Sequence, residues 1–357
     1  MGLYELSNIE ISGIATAIPK NRMEYSDFYD KFGHKFMDKY VSRVGIKSLH
    51  RTTNGQTACD LGYVASKTII DGIGLDGGKI GVLMFSTYEP DYRRPGNSFV
   101  LQYRLGLSED CSCVDVGAGC AGFVYHQQTI CSLLNASDAE YGLLVCAVSN
   151  SRYIGENDSN VVAMLGDAAV AILYHKSDNG IKIPTLLKAR GEGFKSIIVP
   201  AGGDRHFEVD DVQTQNPDGR MRSPYELYMD GAAVFTYAIN DVPDKINEYL
   251  KKTGNTLSKY DSVCLHQANL LIVNTIADAI NCPRDKVLLS LDEYGNTGVA
   301  SIPLTLCRTY AGQSGVKKIL AAAFGVGFGL GITELIFDAN VVFPIVETEE
   351  VFDDGLI

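Results

Sequence analysis

Short, nearly continuous apolar runs recur along the chain: Ile80–Phe85, Cys113–Val116, Leu143–Val148, Ser262–Leu265, Val287–Leu291 and Ile319–Ala323. Runs of this length without polar alternation predict strands buried on both faces. Between them, Asn97–Leu105 and Ile272–Ile280 read as amphipathic helices. Strands alternating with helices predict an α/β architecture of helices layered on buried sheets.

The order of these elements repeats. Each half runs strand, helix, strand, turn, helix, strand, with the turn at Gly119-Cys120 in the first half and at Gly295-Asn296 in the second. Internal duplication is the expectation, with Cys120 and Asn296 at equivalent helix starts. The two halves are expected to span 1–176 and 177–357, meeting in the polar run His175–Gly180. The stretch Pro200–Pro224 is long and irregular, as functional lids or disordered segments are. The acidic tail Glu347–Asp354 reads as a solvated end.

The chain has 357 residues, 46% of them hydrophobic, enough for a full core. Its net charge of −12 repels phosphate backbones, which argues against nucleic acid as a partner. An acidic carrier protein would need a local basic patch. Nine cysteines, an odd number without a CxxC, sit mostly in apolar runs and suit reduced thiols in a cytoplasm. Cys111 and Cys113 are too closely spaced for ordinary zinc ligation, and no metal site is expected. The N-terminus lacks the pattern of a signal peptide. The most apolar stretch, Ile319–Ile332, is too short and glycine-rich to insert in a membrane.

Cys120 follows a strand, opens a helix and is flanked by Gly119, Ala121 and Gly122, which leave its sulfur approachable. A helix N-terminus favours a thiolate, so Cys120 is a candidate nucleophile, against the simpler reading of a core cysteine. Residues 117–122 also fit GxGxxG, but the next strand ends in Ser149 and Asn150 without the acidic residue a dinucleotide site needs. His266 ends an apolar strand and opens a loop, well placed for a cleft. His126 lies closer to Cys120 in sequence but on another face of the helix. Asn296 after Gly295 reads as a turn or cap residue, or as a group opposite Cys120 if the duplication holds. The glycine-rich loop Phe324–Gly329, with Gly325, Val326 and Gly327, is either a flexible turn or a source of N–H groups for an oxyanion.

Taken together, Arg43-Val44-Gly45-Ile46, Gly119-Cys120-Ala121-Gly122-Phe123, Leu165-Gly166-Asp167-Ala168, His266-Gln267-Ala268-Asn269 and Tyr294-Gly295-Asn296-Thr297 resemble the β-ketoacyl-acyl-carrier-protein synthase III family of the thiolase superfamily. The resemblance implies a five-layered αβαβα fold, a homodimer and a Cys-His-Asn triad of Cys120, His266 and Asn296. It implies acyl transfer from an acyl thioester to Cys120, then decarboxylative condensation with a malonyl thioester. Acyl-CoA and malonyl-ACP or malonyl-CoA are then substrates, and no separate cofactor is implied. Arg43, Arg152 and Asn269 fall where the family contacts coenzyme A.

Three departures stand out. Leu271 occupies the position of an arginine the family uses to dock its carrier. The chain has no tryptophan, and Lys39 stands near the one that stacks on adenine. The Pro200–Pro224 region is longer than usual. Basic residues that could replace the docking arginine are Arg205, Arg220, Arg222, Lys251 and Lys252. Alternatives to condensation are acyl transfer to a non-malonyl acceptor and a non-catalytic partner subunit.

Overall fold

The computed structural model describes residues 3–117, 119–159, 161–178 and 180–356. Eleven strands among them form two large sheets: β1 (Tyr4–Ser7), β2 (Ile9–Pro19), β3 (Ile80–Ser86), β4 (Ser112–Val116), β5 (Tyr141–Val148), β6 (Ala168–Lys176), β7 (Lys182–Lys188), β8 (Ser262–Leu265), β9 (Val316–Gly325), β10 (Gly329–Asp338) and β11 (Val346–Thr348). Seven longer helices accompany them: α1 (His34–Val44), α2 (Ala58–Ile73), α3 (Asn97–Leu105), α4 (Gly122–Asn135), α5 (Gly231–Thr253), α6 (Leu270–Ala279) and α7 (Ser301–Tyr310). Local chemistry sets their ends. Thr57 and Asp60 form a capping box at the start of α2, and left-handed Gly74 stops it.

One sheet has the order β11-β2-β6-β5-β3-β4 and the other β1-β7-β10-β9-β8. The two repeat one plan. β3 and β5 are parallel neighbours, β5 and β6 antiparallel, β6 and β2 antiparallel. In the second sheet β8 and β9 are parallel, β9 and β10 antiparallel, β10 and β7 antiparallel. The end strands are exchanged: β1 joins the sheet of the C-terminal half and β11 that of the N-terminal half.

Three apolar clusters show why the strands carry no polar alternation. Val82 and Met84 of β3 face a central cluster with Phe123 and Val124 of α4, Ile302 and Leu306 of α7, and Ile319 and Ala321 of β9. Leu83 and Phe85 face outward onto Leu61, Ala65 and Ile69 of α2. Val263, Leu265, Leu320 and Ala322 pack on Val242, Ile246 and Tyr249 of α5 and Ile272 and Ile276 of α6. Helices outside, between and outside the two sheets make the five αβαβα layers expected from the sequence.

Several expectations need correction. Val287–Leu291 is not a strand: only Val287 bridges Val263, and a short helix begins at Leu291. Side chains take over its backbone bonds, Gln267 Oε1 accepting from Ser290 N–H and Arg308 donating to Leu289 O. The tail keeps Glu347, Glu349, Asp353 and Asp354 exposed, as expected of a solvated end, but it is also pinned to the fold. Gln56 donates to the carbonyls of Thr348 and Glu350, Asp60 accepts from Phe352 N–H, and Arg104 pairs with Glu350 at 3.0 Å. Pro200–Pro224 includes a short ladder, Thr214–Gln215 with Met221–Arg222.

Candidate active site

The carboxyl ends of the parallel strands β3, β4 and β5 lie side by side, because Ser86 is in register with Val116 and Cys146. Chain reversals at such ends are where α/β sheets bind ligands. Three segments follow them: Thr87–Glu89, Gly119–Ala121 and Ser149–Tyr153. Asp167, just before β6, ties the third down. Its carboxylate accepts from the N–H of Thr52 and of Ser151 and from Thr52 Oγ1, at 2.9–3.0 Å.

Cys120 sits in the turn immediately before α4. Gly325, at the end of β9, lies directly against it: a Cβ there would stand 2.8 Å from Cys120 Cβ and 3.1 Å from its Sγ. Gly119 is held equally close by Val326, whose Cγ2 would be 2.5 Å from an added Cβ. The backbone N–H groups of Cys120 and Val326 both reach the sulfur and favour the thiolate. Burial opposes them and wins, pushing the thiol up to about 12. Burial of the thiol thus works against the thiolate that a helix N-terminus favours, although the residue as a whole is only partly buried.

The loop that brings Val326 to the sulfur is bent and braced. Gly327 and Phe328 both have positive φ. The Phe328 ring stacks on Tyr237 with centroids 4.4 Å apart, and Tyr237 Oη donates to Phe328 O at 2.9 Å.

His266 follows β8 and is buried. Its Nδ1 lies 2.8 Å from Ser301 Oγ at the start of α7, and its ring meets Phe324 edge-on at 5.4 Å. Burial lowers its pKa to about 3, so the imidazole is neutral. Asn296 is also buried. Its N–H donates to Met164 O, and its Oδ1 accepts from Gly298 N–H at 3.0 Å. The bridge between Leu165 and Asn296 joins the two halves here, and α4 packs on the 298–300 turn. Two of the expected motifs, residues 165–168 and 294–297, therefore meet. His126 is buried, with Nδ1 2.8 Å from Ser86 Oγ.

The outer residues are less convergent. Arg43 and Lys39 are exposed on α1, which ends at left-handed Gly45 against Leu270. This carries Arg43 towards the start of α6, where Asn269 caps the helix through Oδ1 accepting from Ile272 N–H. That bond accounts for Asn269 structurally without a ligand. Arg152 is exposed, its guanidinium donating to Gln56 O. Leu271 is exposed. Arg222 is not available for docking: it is buried and paired with Asp158 and Asp218. Sequence reasoning missed Glu89, Tyr88 and Ser301. Glu89 is partly buried beside the Cys120 turn, and Tyr88 lays its ring across Gly117 and Gly119.

Two family models match the chain. Both are described as 3-oxoacyl-[acyl-carrier-protein (ACP)] synthase III, one over residues 114–191 and its C-terminal counterpart over 250–337. The beta-ketoacyl-[acyl-carrier-protein] synthase III of Neisseria meningitidis is 31% identical over 327 residues, covering 90% of this chain and 97% of that one. The synthase of the same name from Xanthomonas oryzae is 29% identical, covering 90% and 96%. The solved 3-oxoacyl-(acyl-carrier protein) synthase of Burkholderia xenovorans superposes with a TM-score of 0.92 at 26% identity, covering 97% of this chain and 99% of that one.

Proposed function

The chain belongs to the 3-oxoacyl-[acyl-carrier-protein] synthase III family and is a condensing, acyl-transferring enzyme; on that premise we propose that Cys120 carries the acyl group while His266 and Asn296 activate a malonyl thioester. The observation that supports this reading is the close packing of Gly325 and Val326 against Cys120 and Gly119, beside which the backbone N–H groups of Cys120 and Val326 favour a negative charge at the sulfur. A carbonyl attacked by that sulfur develops its negative oxygen beside the same two donors. Sγ displaces the thiol of coenzyme A or of a carrier and keeps the acyl group.

The malonyl thioester then enters. Ser301 Oγ–H donating to Nδ1 leaves the ring proton of His266 on Nε2, as a donor. The Gly298 N–H, by engaging Asn296 Oδ1, turns the amide Nδ2 outward as the second donor. Both hydrogen-bond the thioester carbonyl as carbon dioxide leaves. The enolate they stabilise attacks the acyl carbon, and the Cys120 thiolate departs and regains a proton. Each such donor is worth ~3–4 kcal/mol in the transition state. Arg43 and Arg152 serve the nucleotide of coenzyme A, with Asn269 beside its arm.

The molecule works as a homodimer in the cytoplasm. β4 is an edge strand of the six-stranded sheet, and Phe99 and Tyr103 of the adjoining α3 are exposed. An open edge flanked by large aromatic side chains is a self-association surface. The test of the chemistry is carbon dioxide release from malonyl-coenzyme A in the presence of an acyl primer. Stoichiometric release with formation of a 3-oxoacyl product supports condensation. Acyl transfer to an alcohol or amine without release would replace it with the non-malonyl reading.

A further inference from the structure

The loop that sets Gly325 and Val326 against Cys120 has a backbone that side chains seldom tolerate. Phe328 has a φ of +48°. A phenylalanine persists in that region only where its surroundings hold it there. Its carbonyl accepts two hydrogen bonds, from Tyr237 Oη at 2.9 Å and from Arg190 N–H at 3.3 Å. Its ring stacks on Tyr237 at 4.4 Å, the two planes 11° apart. The ring also meets Gly193. A Cβ there would stand 2.5 Å from Phe328 Cγ and 2.6 Å from Cε2, so no side chain fits while the ring stays in place.

These contacts come from the two stems of one excursion of the chain. β7 ends with Lys188 in register with Leu330, and the bond from Arg190 N–H carries that pairing on to Phe328. The chain then makes the turn Gly191–Lys195, in which Gly193 N–H donates to Arg190 O at 2.9 Å. Ile197–Ile198 pairs antiparallel with Tyr228–Met229, and Asp230 N–H donates to Ser196 O at 2.8 Å. Asp230 caps α5, the helix that carries Tyr237. The long stretch Pro200–Pro224 thus leaves and re-enters the fold through a clamp, and the clamp closes on Phe328.

We infer that Phe328 is the positioning residue of the oxyanion site: held by Gly193 and Tyr237, it fixes the Val326 N–H where the carbonyl attacked by Cys120 develops its charge. A donor on a glycine-rich loop stabilises that charge only if it is already in place when the sulfur attacks. The inference rests on the roles proposed above for Cys120 and Val326. It concerns the steps in which charge develops at the acyl carbon. Malonyl decarboxylation, whose charge develops beside His266 and Asn296, does not depend on the clamp.

The test is single-turnover acylation by acetyl-coenzyme A, followed by intact-protein mass, beside carbon dioxide release from malonyl-coenzyme A. The variants are Gly193→Ala, Tyr237→Phe, Phe328→Leu and the double variant Gly193→Ala/Phe328→Leu. Gly193→Ala displaces the ring and should slow acylation by on the order of 100-fold, the cost of a displacement of about 1 Å. The half-saturating acetyl-coenzyme A concentration and the rate of malonyl decarboxylation should stay near wild type. Tyr237→Phe keeps the stack but removes a hydrogen bond, and should slow acylation by roughly 3–10-fold. Phe328→Leu should also slow it. The smaller side chain makes room for the added methyl group, so the double variant should be no slower than Phe328→Leu alone. Near-wild-type acylation in a folded Gly193→Ala, or equal loss of acylation and decarboxylation across the variants, would overturn the inference and leave the clamp a structural contact. If Gly193→Ala does not fold, an unchanged acylation rate in Tyr237→Phe overturns it alone. Absence of any wild-type adduct on Cys120 would instead sink the reading of Cys120 on which it rests.

Discussion

At the scale of single residues, burial decides the charge states, and with them a dependence of folding on pH. His266 and His126 have pKa values lowered to about 3 and about 4, both by burial. In the unfolded chain each titrates near ~6.5. Below that pH the unfolded state binds protons the folded state refuses, so stability falls as pH drops from about 6.5 towards 4. Urea midpoints at pH 7 and pH 5 should show the fall, and His126→Gln should make it shallower. An equally steep fall in the variant would mean that His126 does not contribute. The same neutrality predicts that malonyl decarboxylation shows no inflection near pH 6.5. His266→Ala and Asn296→Ala should each lower its rate by ~100-fold or more while Cys120 still acylates. Rates near wild type in either variant would remove that residue from the reaction. The motifs around Cys120 and Asn296 were legible in the sequence because each couples a turn glycine to a reactive side chain, and His266 because it ends an apolar strand and opens a loop. The upward push on the Cys120 thiol was not legible, since a helix start seen in sequence gives the dipole but not the surroundings of the sulfur. Nor was Glu89, one acidic residue among the polar positions after β3, whose electrostatic influence on Cys120 arises only in the fold.

Among the elements, the loop joining β9 to β10 is the most exacting. Gly325 has a φ that side chains rarely adopt and lies against Cys120 with no room for a methyl group. Gly325→Ala should leave the thermal midpoint within a few degrees of wild type but lower acylation by ~100-fold or more, because it displaces the sulfur or the Val326 N–H. Near-normal acylation in a folded Gly325→Ala would show that this close approach is unnecessary. The buried strands were readable from apolar runs because both faces are covered. Val287–Leu291 misled for the same reason: its residues are apolar enough for a strand, but Gln267 and Arg308 take the bonds a neighbouring strand would supply. The duplication itself was visible in element order, while the exchange of β1 and β11 between sheets depends on long-range pairing that no local pattern encodes.

For the whole molecule, the C-terminal tail is part of the fold. Arg104 is almost wholly buried, pairs with Asp60 at 2.7 Å and Glu350 at 3.0 Å, and stacks between Tyr63 and Phe352. Arg104→Ala leaves Asp60 buried without a cation and should cost about 3 kcal/mol, read as a lowered urea midpoint. A midpoint within error of wild type would show the tail to be incidental. Carrier docking is also constrained at this scale. Arg222 is buried, which removes it from the basic residues named for carrier docking and leaves Arg205, Arg220, Lys251 and Lys252 on an acidic surface. The central claim, that this fold exists to load an acyl group onto one cysteine of nine, is tested most directly by intact-protein and peptide mass spectrometry after incubation with a panel of acyl-coenzyme A and acyl-carrier donors. A single acyl adduct mapped to Cys120, absent in Cys120→Ala, is the predicted result. An adduct on another cysteine, or none with any donor, would contradict it.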